Sequence, residues 1–115
     1  MLYVYDTLYH KLINGQTYYH SLSKDENLEG YLRNKDKAVI LFLAPWCKYS
    51  KELRKNKSIK KITCDIDTVI IDDKHPDVEF LMNVYKLKKF PSICIYKNKY
   101  VKEIKEIDDL VNQLL

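Results

Sequence analysis

Residues Ala38 to Leu43 read AVILFL, an unbroken apolar run. A strand with one wet face alternates apolar and polar residues, so a run of this kind belongs to a strand covered on both sides. In a short chain that is a demanding requirement, because helices must then lie on both faces of the sheet that holds it. Pro45 stops the strand, since proline cannot donate a ladder hydrogen bond, and Trp46-Cys47 follow at once.

Other periodicities supply the covering elements. Asn14-Gly15 lies between two strand-favouring runs, Leu8 to Ile13 and Gln16 to Leu22, which predicts an opening hairpin. Ser23-Lys24-Asp25-Glu26 has capping-box spacing with Leu28, Tyr31 and Leu32 behind it, so a first helix is expected to about Lys35. A second helix is expected from about Lys48, with a kink or end at Asn56 to Ser58, and Thr68 to Ile71 predicts another buried strand. Val78, Leu81, Met82 and Tyr85 recur at helical spacing behind Pro76. Ser92 to Tyr96 and Tyr100 to about Ile104 predict two strands joined by a turn at Lys97-Asn98-Lys99, and Ile107, Leu110, Val111 and Leu114 a closing amphipathic helix. Strands that alternate with helices and close in a hairpin make an α/β fold, a central mixed β-sheet with helices on both faces.

The 115 residues and 46% hydrophobic content suit one domain over 1–115, in which residues 1–15 are an N-terminal extension forming a hairpin strand. With 31% charged residues and no apolar run of about 18, no membrane association is expected, and no basic segment precedes the first apolar residues as a secretory signal would require. Three cysteines cannot all pair within the chain, which favours a reducing, cytoplasmic setting. His10, His20 and His75 share no ligand spacing with one another or with the cysteines. No metal and no cofactor is therefore expected, and each histidine is read as a surface or hairpin residue.

Between Lys48 and Lys61 the chain holds Lys48, Lys51, Arg54, Lys55, Lys57, Lys60 and Lys61 against Glu52 alone. A solvated helix face is the plain reading, and attraction of an acidic partner the sharper one. No base-reading or stacking motif accompanies the charge, so nucleic acid is not expected. Tyr3, Tyr5, Tyr9, Tyr18 and Tyr19 crowd the opening strands, where cross-strand pairing is the plain account and a dimer surface on the Tyr-rich hairpin the alternative.

Chemistry concentrates at Cys47. A cysteine between a buried strand and the start of a helix lies where unpaired N–H groups and the helix dipole favour a thiolate, and Lys48 beside it is expected to push the same way. At these residues the chain resembles the thioredoxin family. AVILFLAPWCKYSKEL (38–53) is similar to that family's strand, Ala-x-Trp-Cys-x-x-Cys turn and active-site helix, and FLMNVYKLKKFPSICIYKNKY (80–100) to its helix, cis-proline loop and hairpin. Cys47 and Pro91 are 44 residues apart, as the family expects, and the resemblance runs from about Gln16 to Leu115.

The resemblance implies a thioredoxin-like fold and thiol-disulfide exchange, with Cys47 as the attacking cysteine. Ser50 stands at the family's second cysteine, Trp46, Lys48 and Tyr49 flank the thiol, and Phe90 with a cis Pro91 offers backbone groups to an extended substrate. The implied partners are a protein carrying a disulfide or thiol and an external thiol or reductase, because Ser50 cannot resolve a mixed disulfide. Leu41 replaces the buried carboxylate that the family carries six residues before its first cysteine, and the turn at Lys97-Asn98-Lys99 lacks the usual glycine. Cys64 and Cys94 are read as small buried hydrophobes. Three readings follow: a single-cysteine oxidoreductase, a redox-inactive interaction module on the same fold, or a two-cysteine protein in which Ser50 is an engineered replacement. Monothiol glutaredoxin chemistry is disfavoured, since the chain lacks the Gly-Gly segment and the upstream lysine used on glutathione.

Overall fold

All six residues of the apolar run are buried, within β2 (Lys37–Leu43). The structure, a computed structural model, describes residues 20–114. The hairpin expected around Asn14-Gly15, the extension 1–15 and Tyr3, Tyr5, Tyr9, Tyr18 and Tyr19 lie outside the described residues, as does the dimer surface expected there. The order is β1 (His20–Ser21), α1 (Leu28–Leu32), β2, α2 (Lys48–Lys55), α3 (Lys57–Asp65), β3 (Thr68–Asp72), α4 (Val78–Val84), β4 (Ser92–Lys97), β5 (Tyr100–Ile104) and α5 (Ile107–Leu114).

The strands form one mixed sheet in the order β1-β3-β2-β4-β5. β3 runs parallel to β1 and β2, whereas β4 is antiparallel to β2 and β5. Because side chains alternate across a strand, the apolar run divides between two cores. Ala38, Ile40 and Phe42 face the layer of α1 and α4, with Val69, Ile71 and Cys94. Val39, Leu41 and Leu43 face Leu53, Ile59, Ile62 and Leu110 from α2, α3 and α5. The continuous run is thus the signature of a strand clad on both sides.

Local chemistry sets the helix ends. Asn56 closes α2 and opens α3: its extended backbone ends the first helix, and its Oδ1 accepts the Ser58 and Ile59 N–H groups at 2.9 and 3.1 Å. The capping-box residues do something other than expected. Glu26 accepts the Ser23 N–H at 3.0 Å within a turn, and α1 starts later, with Asn27 as N-cap accepting the Gly30 N–H, and ends at Leu32 instead of near Lys35. The Glu26 carboxylate also binds His20 Nε2 at 2.8 Å.

His75 corrects an expectation. It is buried, with Nε2 at 2.9 Å from the Ser23 carbonyl and 3.0 Å from the Glu26 carbonyl, while Nδ1 accepts the Asp77 N–H at 3.1 Å. It ties the 23–26 turn to the loop before α4, a long-range role that its sequence neighbourhood does not signal.

Lys97 pairs with Tyr100, leaving a two-residue loop in which Asn98 and Lys99 have φ of 55° and 67°. Both positive values define the type I′ turn that suits the twist of a hairpin. Asparagine tolerates that region, but lysine does not do so freely. Lys99→Gly is expected to stabilise the domain by about 1 kcal/mol, raising the melting temperature by a few degrees. A fall in melting temperature would contradict this account of the turn.

Candidate functional site

The register of the sheet explains why residues 44 apart meet. Phe42 near the end of β2 pairs with Ser92 at the start of β4, so the loop leaving β2 and the loop entering β4 share one end of the sheet. Cys47 lies on the first and Pro91 on the second. Cys47 is the N-cap of α2, its N–H bonded to the Ala44 carbonyl at 3.0 Å and its carbonyl accepting the Lys51 N–H at 3.2 Å. The Phe90–Pro91 peptide bond is cis, and Cys47 Sγ–H donates to the Phe90 carbonyl at 3.8 Å.

The half-buried Cys47 has its pKa lowered from the ordinary thiol value. The Ser50 N–H is the largest cause, followed among the favourable contributions by the Ser50 hydroxyl and the Tyr49 N–H, while desolvation and Glu52 oppose them. As a neutral thiol the side chain makes no capping hydrogen bond, so these helix-end donors are left for the thiolate. The expected contribution of the helix end is present, whereas Lys48, expected to push the same way, is not among the causes.

Ser50 is buried, and its Oγ accepts the Ala44 N–H at 3.1 Å. This residue ends the strand's hydrogen bonding and at the same time helps hold charge on sulfur. Sequence reasoning read it only as the site of a missing thiol. The other cysteines differ sharply. Burial pushes the Cys94 thiol up to about 12, whereas Cys64 is exposed, contrary to expectation. The buried stripe of α3 is Ile59, Ile62 and Thr63, and Cys64 falls one helical step beyond it.

Trp46 stands out from the surface, packs edge-on to Phe90 at 6.2 Å between centroids, and donates from Nε1 to Asp73 Oδ2 at 2.5 Å. Asp73, one residue past β3 and 27 residues away, carries no sequence signal for this contact. Lys48 and Tyr49 are also exposed. Beside them a groove lined by Tyr49, Leu53, Phe90, Pro91, Ile104 and Ile107 runs between α2 and β5, with Lys89, Lys105 and Glu103 on its edges. Exposed apolar side chains next to a thiol give an extended peptide something to lie against.

Leu41 is fully buried between Ile70 and Ile93 on neighbouring strands. No carboxylate occupies its place to accept a proton. Among the described residues no group of three or more His, Cys, Asp and Glu is placed to hold a metal, and no helix is long and apolar enough to cross a membrane.

Solved structures share this architecture. Reduced Schistosoma mansoni thioredoxin superposes with a TM-score of 0.66 at 22% identity, over 84% of this chain and 94% of that one. The first thioredoxin domain of mouse protein disulfide-isomerase A4 gives 0.61 at 20%, over 81% and 70%. A chain from the complex of ferredoxin:thioredoxin reductase with thioredoxin f2 gives 0.64 at 22%, over 87% and 93%. No family model and no curated protein matches the sequence. The likeness establishes a thioredoxin-like α/β fold.

Proposed function

We propose that this domain is a thiol-disulfide oxidoreductase that works through Cys47 alone, in a reducing compartment, on protein disulfides. The observation that carries the reading is the thiol at the head of α2, favoured as thiolate by the Ser50 N–H and set against the Phe90 carbonyl beside Pro91. The thiolate attacks one sulfur of a substrate disulfide R–S–S–R′. A Cys47–S–S–R bond forms, the substrate bond breaks, and R′–S⁻ leaves and takes a proton from water. An external thiolate then attacks the R sulfur, forms a new disulfide with it and returns Cys47 as thiolate. Trp46, Tyr49, Phe90 and Pro91 bind the substrate chain. The proposal of a redox partner is consistent with the solved thioredoxin f2 complex with its reductase.

Mixing the protein with insulin without reductant is expected to give a dithiothreitol-sensitive adduct that maps to Cys47 and is lost in Cys47→Ser. An adduct on Cys64 alone, or none, would sink the reading. The second reading, a binding module without electron transfer, draws on Leu41 and Ser50, which leave no proton acceptor and no resolving thiol. It would be favoured if Cys47→Ser kept the affinity for a partner unchanged.

A further inference from the structure

The charge of this protein is concentrated in one place. Residues 48–61 carry seven cations against one anion, a net +6, whereas the whole chain is +4, so everything else sums to −2. In the structure this segment is α2 and α3, which begin at the Cys47 thiol. Leu53 and Ser50 are the buried side of α2, and Lys48, Lys51 and Lys55 lie together on the opposite, exposed side. Lys57, Lys60 and Lys61 continue the exposed surface on α3.

Helix stability accounts for Arg54 and Lys55 in the last turn of α2, but not for the lysines that open the two helices. Cations are unfavourable at a helix N-terminus, where carboxylates would be stabilising. Yet Lys48 opens α2, Lys57 opens α3, and neither helix has an acidic residue in its first turn. Among the described residues the lysines of α2 and α3 form no salt bridge. A stripe of lysines, two of which stand against the helix dipoles at Lys48 and Lys57 and none of which forms a salt bridge among the described residues, is complementary to an external anion.

We propose that the α2–α3 face selects acidic proteins, with Asp and Glu flanking the target disulfide, as the substrates of Cys47. This rests on the thiol reading above and names the substrate class for it. A protein is favoured over nucleic acid because the stripe starts at the thiol, whose chemistry is with disulfides, and the exposed aromatics Trp46 and Tyr49 at its start flank that thiol. Long-range attraction raises the encounter rate of an acidic substrate by roughly tenfold to a thousandfold at low salt.

The test uses the full chain in a Cys64→Ser background, which removes the other exposed thiol. Three peptides carry one cysteine as its 2-thiopyridyl disulfide, flanked by glutamates, glutamines or lysines, and release of the thiopyridine is timed. 2,2′-Dithiodipyridine, small and uncharged, reports Cys47 itself. At an ionic strength of about 10 mM the glutamate peptide should react about tenfold or more faster than the lysine peptide. At about 1 M, where the screening length is about 3 Å, the difference should shrink to about twofold or less. The triple variant Lys51→Gln, Lys55→Gln, Lys60→Gln should lose most of the glutamate preference and keep its rate with dithiodipyridine. Equal rates for the three peptides at low salt, with dithiodipyridine still reacting, overturn the substrate class and leave the thiol reading standing. No reaction of Cys47 with dithiodipyridine overturns the thiol reading itself. Tighter binding of a single-stranded oligonucleotide than of the glutamate peptide at low salt also overturns the proposal.

Discussion

Ser50→Cys is expected to shorten the life of the Cys47 mixed disulfide on the order of a hundredfold and to convert slow, thiol-dependent turnover into partial disulfide reductase activity. Residue 50 lies one helical turn past Cys47, close enough for its N–H and hydroxyl to act on Sγ, so a sulfur there is positioned to attack the adduct. Two features hold the gain below that of an optimised dithiol. The site is buried, which disfavours a thiolate, and Leu41 offers no proton acceptor. The substitution also weakens the acceptor of the Ala44 N–H, a cost of about 1 kcal/mol in stability. Adduct lifetime on non-reducing gels and insulin reduction with dithiothreitol measure the effect. Unchanged lifetime and turnover would show that residue 50 cannot reach the adduct.

Leu41→Asp should be the most damaging single substitution near the site. The side chain is fully enclosed in the core shared by α2, α3 and α5. Removing the leucine costs about 2–5 kcal/mol. Burying an unpaired acid adds about 1–3 kcal/mol by mutational scales. Against a typical domain stability of about 5–15 kcal/mol, this brings the protein near unfolding. Burial raises the folded-state pKa of the new carboxyl, so the folded state holds more protons than the unfolded one. The penalty is smallest below pH about 3.9 and grows by about 1.4 kcal/mol per pH unit above it, until the folded pKa is passed. Urea midpoints of variant and parent should therefore diverge as pH rises from 4 to 7. Parallel midpoints across that range would mean that the acid finds water or a partner at this position.

Much of the fold was legible because its signals are local and periodic. The six-residue run has the pattern of a doubly covered strand, and its alternate residues do divide between two cores. Asn56 was legible as an interruption for the same reason, since its cap acts on the next residues of the chain. Signals that depend on distant partners were misread. Ser23 and Glu26 have the spacing of a helix start and make the backbone bond of one, but the helix itself begins after Asn27. His75 is buried by carbonyls about fifty residues earlier in sequence. Cys64 was placed in the core by residue type, although the angle of the α3 stripe leaves it outside. At the site, the approach of Cys47 to Pro91 was implied by the family resemblance, whereas the Trp46–Asp73 bond and the hydroxyl role of Ser50 needed three-dimensional neighbours.

The most direct measurement of the central claim is the rate of iodoacetamide labelling at each cysteine, resolved by mass spectrometry across pH 5 to 10. The thiolate is the reactive form, so each rate rises with pH through the pKa of its thiol. Cys47, its pKa lowered by the head of α2, should label fastest at pH 6 and reach its plateau below the ordinary thiol range, while Cys94, at about 12, should stay unmodified in the folded protein. Equal rates for Cys47 and Cys64 at pH 6, or a Cys47 profile displaced above the ordinary thiol range, would contradict the account.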